Sequence, residues 1–219
     1  MKFRKAAFII MLIICFLLTF SIYAEDQPFD CGFDDEVVEE AGDESGEEAE
    51  IIAEEPLVVT TCGQSPGSLM AQQLARREGI EVERQDLLTA DYLREKFEAD
   101  EGFRTLFITI GTSGKGLGAA GINMDDEEKR INSIIEEARN QEMLIIGGQI
   151  EGEERRMDRG DERSMHIVAP QVDILIVHVG ANKDNYYTDL AEELGIPIYY
   201  IEGTMQTADP LRIIFGLAE

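Results

Sequence analysis

The chain has 219 residues, with 45 acids against 19 bases for a net charge of −26, and 44% of it is hydrophobic. The length suits one domain with some excess, and the apolar fraction excludes wholesale disorder. The acidity argues against a nucleic-acid partner, which requires a basic face.

The first segment reads MKFRK, then AAFIIMLIICFLLTF, then SIYA before an acidic stretch. A basic region, an apolar region and a small residue at a cleavage position follow in order, so 1–24 is expected to be a secretory signal peptide cut after Ala24. The alternative is an uncleaved anchor, because the apolar stretch over 6–24 nearly matches a bilayer core of about 30 Å. With Lys2, Arg4 and Lys5 held inside, either reading places the rest outside the cytoplasm, periplasmic or secreted, with the membrane met only through this N-terminal segment. Cys15 lacks the small preceding residue of a lipoprotein signal.

Residues 25–55 carry 15 acids and no base. A block of like charge with almost no apolar run cannot offset its conformational entropy, so this segment is expected to be a disordered acidic linker. The domain is placed at 56–219, with 30 acids and 16 bases. Outside the leader stand two cysteines, Cys31 and Cys62, which an oxidising compartment would allow to pair or leave free.

From Pro56 onward short β-branched runs alternate with amphipathic segments, the pattern of βαβ units. Strands are expected at 57–61, 80–87, 105–110, 143–148, 173–179 and 196–201. Helices are expected at 67–78, 90–98, 125–140, a short one within 160–168, then 184–194 and 207–217. TLFITI, MLIIGG and DILIVHV are continuously apolar and suit central strands, whereas IEVERQDL alternates with charge and suits an edge. The expected fold is α/β, a doubly wound, mostly parallel sheet of five to six strands in the order 2-1-3-4-5 with a sixth beyond, flavodoxin-like or Rossmann-like.

Ligands of such sheets bind beyond the carboxyl ends of the strands where strand order reverses. The two loops meeting there are TCGQSPGS (61–68) and GTSGKGLGAAG (111–121). The first offers Gly63, Gln64, Ser65 and Ser68 as donors for an anionic group before a helix; the same residues also suit an ordinary turn with Ser65 as N-cap and Pro66 as the first helical residue. The second offers Gly111, Thr112, Ser113, Gly114, Lys115 and Gly116. It contains a formal GxGxxG and a Gly-Lys pair, but Lys115 is followed by Gly116 rather than Ser or Thr, and the glycines lie well before the expected helix, so neither phosphate motif is met. The loop reads as a mobile backbone-rich clamp, with Ser113 and Lys115 as polar contacts and without cofactor. The segment 149–166 carries Arg155, Arg156, Arg159 and Arg163 among six acids, suited to an acidic ligand or envelope protein partner, or to pairing within itself.

Cys62 and Ser65 are the nucleophile candidates, but a nucleophile needs a base. The histidines are His166 and His178, and the latter would lie roughly 14 Å from Cys62 across three strand spacings. Neither HExxH nor CxxC occurs, so no metal site is defined and enzymatic activity stays open.

The phrases TTCGQSPGS, FITIGTSGKGLGAAGIN, LIIGGQIEGEERR and ANKD at 181–184 resemble an uncharacterised family of bacterial exported α/β domains, a domain of unknown function. The resemblance implies bacterial origin and export and brings no activity or catalytic residues. The leading expectation is an extracytoplasmic module binding a small polar or anionic ligand between 61–68 and 111–121, with Lys115→Ala or a bulky residue at Gly116 abolishing binding without harm to the fold. The alternatives are a secreted hydrolase or transferase using Cys62 or Ser65, and a protein-interaction domain.

Overall fold

The computed structural model describes residues 53–217. The expected signal peptide, Cys31 and all but the last three residues of the expected linker lie outside them.

Six strands form one parallel sheet in the order β2-β1-β3-β4-β5-β6. They are β1 (Leu57–Cys62), β2 (Val82–Arg84), β3 (Thr105–Ile110), β4 (Leu144–Gln149), β5 (Ile174–His178) and β6 (Ile198–Ile201). The expected order is observed, and its reason is apolar content. Every residue of β1 and β3 is buried, as are all but the first of β4, whereas the three residues of β2 are half-buried. Only three residues of the expected strand 80–87 join the ladder, because β2 pairs with β1 through Leu57, Val58 and Val59 alone.

Seven helices occur among the described residues: α1 (Gly67–Arg77), α2 (Ala90–Glu98), α3 (Gly114–Ala120), α4 (Met124–Asn140), α5 (Arg159–Val168), α6 (Tyr186–Leu194) and α7 (Ala208–Ile214). They clothe both faces of the sheet. On one face, Leu93 of α2, Ile131, Ile134 and Ile135 of α4, Met165 of α5 and Tyr187 of α6 pack on Val58, Leu106, Ile108 and Leu175. On the other, Ala71 and Ala75 of α1 and Leu211 and Ile214 of α7 cover Leu57, Val59, Phe107 and Ile146. Each fully buried isoleucine or leucine stabilises this arrangement by about 1.5–3 kcal/mol before entropy is counted. Gly148 in β4 is required by packing, since a Cβ there would lie 2.2 Å from the Phe107 ring.

Two departures from the sequence expectation bear on the site. The glycine-rich segment after β3 is helix α3, capped by Ser113, whose hydroxyl accepts from Gly116 N at 3.1 Å. A left-handed Gly121 ends it. Asn123 and Asp126 then form a reciprocal capping box that opens α4, the strongest local N-terminal signal available to a helix. The fold also begins before Pro56: Ala53 N–H donates to Ile214 O at 2.7 Å, and the Thr105 hydroxyl donates to Glu54 O at 2.7 Å.

Candidate functional site

The reversal of strand order between β1 and β3 does bring the two loops together. Gln64 and Thr112 form an antiparallel bridge, and Ser113 N–H donates to Gly63 O at 2.7 Å. Gly63 adopts φ +102° and Gln64 a left-handed φ of +57°. A non-glycine residue in that region stores roughly 1–3 kcal/mol, a feature found at ligand clamps and tight turns.

Three carboxylates from outside the two loops occupy their backbone donors. Glu127, fully buried on α4, accepts from Gly63 N and from Gln64 Nε2, both at 2.9 Å. Its other oxygen accepts from Arg130 Nε at 2.6 Å. Arg130 in turn donates to Thr60 Oγ1, Leu88 O and Thr61 O, so the charge pair fixes the carboxyl end of β1. Glu151 lies after β4 and accepts from Gly67 N, at the N-terminus of α1, at 3.1 Å. It pairs with Arg155 Nε at 3.0 Å, and Arg155 Nη1 donates to Thr112 O at 3.2 Å. Buried Asp161 accepts from Thr112 N at 2.8 Å and from Met157 N at 3.1 Å.

The expected site residues divide accordingly. Gly63, Gln64, Gly111, Thr112 and Ser113 meet at the junction; the Arg155 side chain covers Gly111, where a Cβ would lie 3.0 Å from its Cγ. Ser68 is buried and donates to Asp86 Oδ1 at 2.6 Å. Ser65 does not cap α1, whose N-cap is Pro66; it is buried and its hydroxyl has no partner among the described residues, as is also true of Thr61. Gly114 and Lys115 are exposed on α3, and Lys115 makes no ion pair among the described residues. Gly116 touches the first loop directly: a Cβ there would lie 2.1 Å from Gln64 O. The expectation that a bulky residue at Gly116 would spare the fold is therefore corrected, because the clash is with backbone.

The catalytic candidates fare differently. Among the described residues Cys62 is a free, fully buried thiol in one apolar cluster with Leu88, Leu93 and Met165. Burial pushes its pKa far up, with the Glu127 charge adding to the rise, which disfavours the thiolate that a cysteine nucleophile needs. Neither histidine bonds to Ser65. His166 is exposed with Nδ1 3.1 Å from Tyr186 Oη, and His178 Nδ1 accepts from Gly180 N at 2.9 Å. The arginines of 149–166 pair largely within the protein: Arg155 with Glu151, Arg156 with Glu162 and Asp184, and Arg163 with Asp125 and Glu128. The pull of Arg156 lowers the Asp184 pKa. Among the described residues no three metal-ligating side chains converge. Two surface depressions, of ≈ 720 and ≈ 630 Å³, lie elsewhere, one between α4 and the end of α6, the other beside β2.

Sequence reasoning missed Glu127, Arg130, Glu151 and Asp161. A signal existed for the first: Glu127 stands at helical spacing from Ile131, Ile134 and Ala138, which puts it on the buried stripe of α4.

A family model described as Domain of unknown function (DUF6305) matches residues 54–215. No curated protein matches the chain. Among solved structures, it is similar to a GDSL-like lipase from Bacteroides thetaiotaomicron VPI-5482, at 11% identity and a TM-score of 0.34 over 66% of each chain. It is also similar to a lipolytic protein of the G-D-S-L family from Desulfitobacterium hafniense DCB-2, at 16% identity and a TM-score of 0.32, over 67% of this chain and 77% of that one. At these scores the likeness transfers no residue and no chemistry.

Proposed function

We propose, from the premise that the chain belongs to the DUF6305 family over residues 54–215, that this domain is an extracytoplasmic module binding a small anionic ligand, carboxylate or phosphate, where loop 61–68 meets Thr112. The observation that carries the reading is the placement of Glu151. Its carboxylate sits on the free N–H of Gly67 at the start of α1 and against the Arg155 guanidinium, which is the environment that a helix N-terminus and an arginine fork offer a bound anion. An incoming anion takes the position of Glu151 and retains Arg155 as counter-charge. Glu151 is thus an internal occupant that a ligand displaces. Extracytoplasmic placement rests on the basic, apolar and small-residue order of the first 24 residues.

The test is a thermal-shift screen of the whole chain against amino acids, di- and tricarboxylates and sugar phosphates. A ligand at a hundred times its dissociation constant adds about 2.7 kcal/mol, a rise of several degrees for a domain of this size. The expected hit disappears in Arg155→Ala and strengthens in Glu151→Ala. Silence across the panel in both the natural chain and Glu151→Ala would overturn the reading.

A further inference from the structure

We propose that His178 is a proton-operated latch that holds the loop after β4 against the turn after β5, and that acid opens it. Gly180 N–H donates to His178 Nδ1 at 2.9 Å. A nitrogen that accepts a backbone N–H carries a lone pair, so the imidazole proton resides on Nε2; in the doubly protonated ring both nitrogens are donors. Uptake of a second proton therefore sets N–H against N–H at the first turn of Val179–Ala181, the short 3-10 segment that His178 caps.

The ring has a fitted seat. A Cβ at Gly152 would lie 3.2 Å from His178 Cε1 and Nε2, and one at Gly180 would lie 3.1 Å from Nδ1. Glycines stand on either side where any other residue would meet the imidazole. Gly152 is itself fixed by Gln149, whose side chain bonds its N–H at 3.2 Å and its carbonyl at 2.8 Å. The turn that His178 caps ends at Ala181, whose carbonyl accepts from Arg156 Nη1 at 2.6 Å. Lys183 adds a second tie to Glu153 at 2.7 Å. The charged groups on the elements packed around the ring are Glu153 and Arg156 before it, Lys183 and Asp184 after it, and Glu202 and Asp209 beside Val179.

The sign follows from the hydrogen bond. The closed turn needs an unprotonated Nδ1, so it is favoured where the ring is neutral and opens when acid adds the second proton. Opening moves the Ala181 carbonyl, loosens Arg156 and frees segment 151–158, which includes Glu151 and Arg155. The latch stands on its own contacts and does not depend on the ligand reading.

The experiment is hydrogen exchange of the full chain at pH 7.5 and 5.5, corrected for the intrinsic pH dependence of exchange, read in 150–158 and 178–186. The natural chain is expected to lose about tenfold in protection at pH 5.5, the scale of one hydrogen bond. His178→Asn, whose amide oxygen caps the same N–H without titrating, is expected to show no such change, while His166→Gln keeps it. An equal response in His178→Asn, or none in the natural chain, overturns the proposal. Nitrogen NMR of the natural chain gives an independent reading at pH 7.5: an unprotonated Nδ1 supports the latch, and a protonated one sinks it.

Discussion

Glu127 has no exposed surface, and its two oxygens accept three hydrogen bonds, from Gly63, Gln64 and Arg130. Its truncation to alanine leaves Arg130 uncompensated and Gly63 N–H unpaired, so urea unfolding of Glu127→Ala should show a loss of about 3–5 kcal/mol. A loss below about 1 kcal/mol would mean that the pair does not anchor the β1 loop. Cys62 makes the opposite kind of prediction. Because burial raises its pKa, an alkylating reagent at pH 8 should leave the native thiol untouched and modify it fully in denaturant; rapid native alkylation would contradict the burial. At this scale the sequence disclosed which loop residues meet, since Gly63, Gln64, Thr112 and Ser113 follow strands whose order could be reasoned out. It did not disclose Glu151 or Asp161, whose inward placement depends on how a loop after β4 folds over strands far from it in sequence.

The element that best separates local from tertiary effects is α3. Its Gly118 is exposed and a Cβ there meets nothing within 4 Å, whereas one at Gly116 strikes Gln64 O at 2.1 Å. Gly118→Ala should therefore stabilise by about 0.5–1 kcal/mol through helix propensity, and Gly116→Ala should destabilise by about 1–3 kcal/mol through overpacking. Thermal unfolding of the two variants checks the contrast, and equal shifts would place α3 away from the first loop. The helix itself was hidden in the sequence, because five glycines in the eleven residues 111–121, beginning at Gly111, read as a loop. What makes it helical is the Ser113 cap and the burial of Leu117. Helix α4, by contrast, was plain from its acidic start and its isoleucine spacing, and its observed span differs from the expected one by a single residue at the start.

For the whole molecule, the sheet order was legible because burial on two faces demands continuous apolar runs, which TLFITI, MLIIGG and DILIVHV supply for β3, β4 and β5. The doubly wound layering followed from the alternation of strands and helices. The site's occupancy was not legible, since it is a property of three remote carboxylates. Global stability should carry a matching acid dependence. The Glu137 pKa is lowered by hydrogen bonds from Gln141 and Arg94, and that of Asp184 by its bond from Arg156. A carboxylate whose folded pKa lies below its unfolded value contributes above the unfolded value, near about 4, and loses that contribution as pH falls. The stability difference between the natural chain and Asp184→Asn should therefore narrow from pH 6 to pH 3; a constant gap would deny the ion pair its role.

The amide of Gly67 tests the central claim most directly, because its N–H is the donor that Glu151 holds and that a ligand anion would take. In a nitrogen–proton spectrum of Glu151→Ala, titration with a small dicarboxylate should shift the Gly67 amide saturably, and Arg155→Ala added to the same chain should remove the effect. A Gly67 amide that stays in place while other amides move, or while none does, would contradict the account.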